Sequence, residues 1–99
     1  MKIAVTYENG MVFQHFGRTQ QFKVYEVEDG KMVDMKVVSS GGSGHGALAG
    51  VLAALGVNVL ICGGMGMGAK NALAAAGIEV RGGVQGQADL AVADYLAGK

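Results

Sequence analysis

Ninety-nine residues, 51% apolar and 16% charged, are enough for one folded domain over residues 1–99 with a modest core, and too apolar for a disordered chain. Eight basic residues balance eight acidic ones, with no run of lysines and arginines. That excludes the usual electrostatics of a nucleic-acid or anionic-membrane binder. No apolar stretch is long enough to span a bilayer. One cysteine makes no intrachain disulfide, and Met1-Lys2 leads directly into a strand-like run with no signal-peptide core. A reducing, cytoplasmic setting is therefore expected.

The apolar run Lys2–Tyr7 reads as a buried central strand. Glu8-Asn9-Gly10 is a turn, and Met11–Gln20, of mixed polarity, reads as a loop. Gln21–Glu28 and Lys31–Val38 are rich in β-branched, aromatic and methionine side chains. Asp29-Gly30 between them predicts a hairpin with a type I′ turn, which needs φ > 0 at both central residues. A glycine-rich segment, Ser39–Gly46, leads into a helix over Ala47–Leu55, with Leu48, Val51, Leu52 and Leu55 at helical spacing and Gly56 as its cap. Val57–Cys62 reads as a buried strand. A second glycine loop, Gly63–Gly68, opens a helix with Ala69, Ala72, Leu73 and Ala76 on one face, capped by Gly77. Ile78–Arg81 is a short strand. A third loop, Gly82–Gly86, precedes a last helix bearing Ala88, Ala91, Val92, Tyr95 and Leu96, ended by Gly98.

This order, β-β-β-α-β-α-β-α, predicts a three-layer α/β/α fold. Its mixed sheet of five strands runs 3-2-1-4-5, with the second strand antiparallel and right-handed crossovers linking the rest. The loops after the four like-directed strands then gather on one edge, where α/β proteins bind ligands. Glycine there permits φ > 0 and close approach to the main chain. The edge collects His15, Arg18, His45, Cys62, Met65, Met67 and Arg81. Imidazole, thiolate and thioether suit soft or borderline metals and metal–sulfur clusters. The two arginines and three helix N-termini suit an anion. Each residue also has a plainer reading: Cys62 as a small core side chain, the methionines as packing, His45 as a local hydrogen-bonding group, Arg18 as a solvated charge.

Known motifs narrow the chemistry. Gly63 and Gly68 have Walker A spacing, but Ala69 stands where the lysine belongs, so Lys70 is out of register. A dinucleotide fingerprint on Gly64, Gly66 and Ala69 has no acidic residue about twenty positions on. CxxC and HExxH patterns are absent. The edge offers only Glu8 as a carboxylate, too few for metal-dependent nuclease chemistry. No nucleophile–base–orienter set is visible, so a non-enzyme is expected.

His15-Phe16-Gly17-Arg18, the Gly41–Gly46 loop and the run Ile61–Leu73 followed by Ala76–Val80 together resemble the dinitrogenase iron–molybdenum cofactor biosynthesis family. That family includes NifX- and NafY-type proteins, the C-terminal part of NifB, the molybdenum–copper orange protein and small stand-alone homologues. The resemblance covers essentially the whole chain. It implies a ribonuclease H-like fold without nuclease chemistry, and a carrier or scaffold for a metal–sulfur cluster of Mo/Fe or Mo/Cu type, with a client or cluster-donor protein as partner. It implies His15 as the foremost contact, with His45 and the Gly63–Gly68 loop lining the same site. The residues of the edge extend the expected set to Arg18, Gly44, Gly63, Gly64, Met65 and Gly66, with His15, His45 and Cys62 as candidate metal ligands, Cys62 by its own chemistry and not by the resemblance, since its position need not be cysteine in the family. Members also occur outside nitrogen fixation. A nucleotide- or anion-binding regulatory module on the same loops is the competing expectation.

Overall fold

The computed structural model describes residues 1–40 and 45–98, the side chains of residues 45–47 excepted. The elements are β1 (Lys2–Glu8), β2 (Met11–Val12), β3 (Gln21–Glu28), β4 (Lys31–Ser39), α1 (His45–Ala54), β5 (Val59–Ile61), α2 (Met67–Ala75), β6 (Glu79–Arg81) and α3 (Ala88–Leu96). The sheet runs β4-β3-β1-β5-β6, the expected order, with β2 added as a further partner of β1. β5 and β6 run parallel to β1, β3 runs antiparallel to it, and β4 runs antiparallel to β3. The loops after β1, β4, β5 and β6 therefore share one edge.

β2 lies inside the segment expected to be a loop. Asn9 (φ 50°) and Gly10 (φ 84°) make a tight turn of the same kind as Asp29 (φ 53°) and Gly30 (φ 76°), so Met11–Val12 folds back on Tyr7 and Glu8. Two residues are too few to show an alternating pattern, which is why the strand escapes a periodicity argument. Gly56, Gly77 and Gly98 follow the three helices at φ 75°, 78° and 80°, the left-handed cap that their positions predict.

Ile3, Ala4 and Val5 are fully buried because β1 is covered on both faces. On one face Ala4, Phe22, Val24 and Leu60 pack with Leu48 and Leu52 of α1 and Leu73 of α2. On the other, Ile3, Val5, Tyr25, Val59 and Ile61 pack with Ala88 and Val92 of α3. The result is three layers, with two helices against one.

A polar clasp fixes the lone helix. The Tyr25 hydroxyl donates to Asp89 Oδ1 at 2.6 Å, and Lys23 Nζ reaches the same oxygen at 2.8 Å while lying over the Tyr7 and Tyr25 rings. Asp89 occupies the first turn of α3, where the helix dipole favours a negative charge. The hydrogen bond from Lys23, then that from Tyr25, hold its carboxyl below the usual aspartate range. Burial, and then the bond to Asp89, push the Tyr25 hydroxyl well above the ordinary tyrosine range. Asp89 itself is largely exposed, so the ion pair adds little and the buried phenol matters more. Tyr25→Phe is expected to cost about 1 kcal/mol, read as a lower urea midpoint at unchanged m-value.

Candidate functional site

The loop between β1 and β3 is pinned to the two glycine loops that follow β5 and β6. Thr6, fully buried, exchanges bonds with Phe13: its hydroxyl donates to the Phe13 carbonyl at 2.8 Å, and the Phe13 N–H donates to the Thr6 carbonyl at 2.9 Å. The Gly64 N–H then donates to Gln14 O at 2.8 Å, and the Phe16 N–H donates to Gly64 O at 3.1 Å, a short parallel bridge between His15 and Gly64. Gly63 accepts from Gly83 N at 2.8 Å. The Gln14 amide donates to the carbonyls of Val12 and Val84, which ties the first loop to the third. Phe16 is driven into the core beside Phe22, which anchors the short 3-10 turn Phe16–Arg18.

Gly63 is needed for contact rather than for a turn. A Cβ there would lie 2.6 Å from Gln14 Cα and 2.7 Å from its side-chain carbonyl, an impossible overlap. At Gly64 a Cβ would stand 3.0 Å from the Gln14 carbonyl oxygen. Neither glycine has positive φ; in the third loop Gly83 and Gly86 do. The second loop thus uses glycine for close approach, and the third uses it for chain reversal.

A cleft of about 680 Å³ opens between the pinned loop and α2, lined by His15, Phe16, Gly17, Arg18, Gly64, Met65, Gly66, Gly68, Ala69 and Ala72. His15 and Arg18 are exposed at its rim, and the His15 ring stands edge-on to Phe13 at 6.1 Å. Met65 is half-buried, packed partly on the core. At the head of α2 the N-cap is Gly66, which offers no side-chain cap, and the first turn holds no acidic residue. The N–H groups of that turn and the positive end of the helix dipole therefore stand uncompensated beside the cleft.

The structure brings together His15, Arg18, Gly64, Met65 and Gly66 of the sequence-derived set. Gly63 lies beneath them, lining a smaller adjoining cleft with Gln14 and Lys70. His45 opens α1 on the same edge, but its side chain, like the whole of Gly44, lies outside the described residues. Cys62 is not at the rim: it is fully buried, and burial pushes its thiol up to about 11. A neutral, enclosed thiol is the opposite of a thiolate ligand, so the core reading of Cys62 prevails. Arg81 is also elsewhere. It pairs with Glu79 at 2.8 Å, lies over the Tyr95 ring and faces α3, leaving Arg18 as the arginine of the cleft. Among the described residues, no three His, Cys, Asp or Glu side chains converge to hold a metal ion. Phe16 and Gly17 line the cleft as part of the His15–Arg18 motif, and Gln14 is the residue of this junction that pattern reading missed. Its signal was the pair Gly63-Gly64, whose missing side chains imply a backbone lying against them.

Comparison with known proteins follows the same outline. The family model described as dinitrogenase iron-molybdenum cofactor matches residues 1–98. An uncharacterized protein of Methanocaldococcus jannaschii is 30% identical over 104 residues, which take in 100% of this chain and 88% of that protein. The apo form of the orange protein from Desulfovibrio gigas is 37% identical with a TM-score of 0.85, over 98% of this chain and 88% of that one. The crystal structure of PH0822 has a TM-score of 0.94 at 26% identity, over 100% of this chain and 91% of that one.

Two outcomes follow from the packing. Gly63→Ala is expected to cost about 1–3 kcal/mol through overlap with Gln14. Gly68→Ala, whose Cβ meets nothing within 4 Å, should be neutral or stabilising by up to about 1 kcal/mol, both measured by urea unfolding. For Cys62, folding keeps the thiol neutral, whereas the unfolded chain ionises near its ordinary value of 9.0. The stability this supplies is complete below pH 9.0 and is lost as pH rises towards about 11. Unfolding free energies across that window should therefore fall more steeply for the native chain than for Cys62→Ala, and a thiol reagent at pH 8 should label Cys62 only in denaturant.

Proposed function

Because this chain belongs to the dinitrogenase iron–molybdenum cofactor family, we propose that its cleft receives an anionic metal–sulfur cluster as cargo, and that the protein carries or scaffolds the cluster without catalysing a reaction. The observation that supports this most is the meeting of His15, Arg18 and the uncapped start of α2 around one open cleft of about 680 Å³. A polynuclear sulfide cluster spreads its charge over many sulfur atoms. It is held by N–H donors, a cation and few direct ligands, rather than by a closed cage of side chains. Here His15 offers an exposed imidazole, Arg18 a guanidinium and the first turn of α2 its N–H groups. Met65 and Ala69 supply apolar contact for the less hydrated faces of such a cluster.

The three loops meet through backbone hydrogen bonds and one glutamine, so His15 is held on a rigid frame rather than on a free loop. Rigid, sparse ligation suits a molecule that must both accept and give up its cargo, to a client or from a donor protein. Molybdenum paired with iron or with copper is the composition we assign to the cluster, on the strength of the family and of the likeness to the orange protein. The uncapped N-terminus of α2 also favours a second reading, in which a nucleotide or another phosphate-like anion occupies the cleft and the module is regulatory.

The test is anaerobic uptake. Apo protein mixed with tetrathiomolybdate and either Cu(I) or Fe(II), then desalted, should retain a charge-transfer band with bound molybdenum. His15→Ala should weaken that uptake about tenfold, a loss typical of removing one metal-directed contact. Arg18→Ala should weaken it most at low salt. Absence of retained metal, together with thermal stabilisation by nucleotides, would replace the carrier reading with the regulatory one.

A further inference from the structure

The far edge of the sheet carries a second surface, independent of the cleft. β4 is an outer strand of nine residues, paired on one side with β3 alone. Val33, Met35 and Val37 on it are 54%, 45% and 45% exposed; Met35 and Val37 share one face of the regular part of the strand, and Val33 is the extra residue of a bulge opposite Glu26 and Val27. Met32 and Val38, towards its ends, are tucked against the two cores. The Met35 N–H is bonded to the carboxylate of its own neighbour, Asp34, at 2.9 Å, and not to β3. It therefore points outward, where a further strand would lie.

Asp34 stands opposite Glu26 of β3, two like charges face to face. The ion pairs of the described residues are Lys23–Asp89 and Arg81–Glu79, so neither Asp34 nor Lys36 has an ionic partner there. Around Met35 the strand reads Val33-Asp34-Met35-Lys36-Val37. Turned end for end, that sequence is complementary to itself.

We infer that β4 pairs antiparallel with β4 of a second copy about a twofold axis at Met35, making one continuous sheet across a homodimer. In this register Met35 faces Met35 and Asp34 faces Lys36 twice, while Val37 of each copy meets the bulge at Val33, where β4 departs from regular alternation. A residue whose backbone points outward forms the hydrogen-bonded pair, so Met35 donates to its counterpart and releases Asp34. Asp34 and Lys36 then occupy the closer, non-hydrogen-bonded positions, where opposite charges interact best. Lys36 of the second copy also neutralises the crowding of Asp34 and Glu26. Sliding the register by one step of the pleat either way sets Lys36 against Lys36 or Asp34 against Asp34. The charges therefore both select this alignment and exclude its nearest competitors. The occupant is a second copy of this chain because its own charge order answers the edge. The cleft lies with the loops after β1 and β5, so both copies keep it open.

Sedimentation equilibrium on the full chain over a wide concentration series tests this. The native protein should dimerise. Asp34→Lys alone and Lys36→Asp alone each set like charges opposite each other twice, and each should raise the Kd by about tenfold or more. The double variant Asp34→Lys/Lys36→Asp should restore the native Kd. An equimolar mixture of the two single variants should form a heterodimer that neither forms alone. Both positions are exposed, and a thermal melt checks that each variant is folded. A native chain that stays monomeric across the series, as it would if the edge served a different protein, overturns the inference. So does a dimer indifferent to the single changes, or one that the charge swap fails to restore.

Discussion

The approach of Gly63 to Gln14 is the contact on which the arrangement of the cleft depends. With no side chain at Gly63, the end of β5 lies directly against the loop that carries His15. That proximity lets Gly64 bond the Gln14 carbonyl and lets Phe16 bond Gly64, so two segments nearly fifty residues apart become one short ladder. The Gln14 side chain takes up the space that a Cβ on Gly63 would fill, and its amide reaches the carbonyls of Val12 and Val84 and draws in the third loop. His15 projects where it does because the residues on either side of it are already committed, Gln14 to the ladder and Phe16 to the core.

The two faces of the sheet divide the labour. Behind the cleft, α1 and α2 pack on a wholly apolar layer of leucine, valine and phenylalanine. On the opposite face the single helix α3 covers less of the sheet, and a tyrosine, a lysine and an aspartate complete its attachment. The apolar side gives the rim a firm floor, since well-packed interiors resist displacement. The polar clasp sets the height of α3 against β3 and leaves the outer part of that face, under Met35 and Val37, uncovered.

The architecture was legible because its signals were redundant. The strand order follows from one hairpin and two crossovers, and each helix end carries its own glycine, all observed in the left-handed region. What escaped was non-local. Met11 and Val12 become a strand through the turn at Asn9-Gly10, and nothing in a two-residue run announces that. Arg81 and Arg18 both follow from the topology as residues of one edge, yet they belong to opposite faces: Arg81 is opposite Ile61 on the α3 side. Loop membership alone does not carry that distinction, whereas the alternation of the strand does. Cys62 raised the opposite difficulty. Its place at the end of β5 beside a glycine loop looks like a rim position, but the carbonyl of Cys62 accepts from Val84 and its N–H donates to Arg81, which seals it under the third loop.

That sealed thiol has a bearing on exchange chemistry. Thiolates displace sulfide and one another from metal clusters, and a carrier with one at its mouth would compete with its cargo's own sulfur for the metal. The only cysteine of this chain is withdrawn behind backbone hydrogen bonds and kept protonated by its surroundings. Its interior packing and its chemical silence are the same property. On the carrier reading we propose, a sulfur-rich guest at the rim would meet nitrogen donors and the Met65 thioether but no thiolate, and would leave with the sulfur inventory with which it arrived.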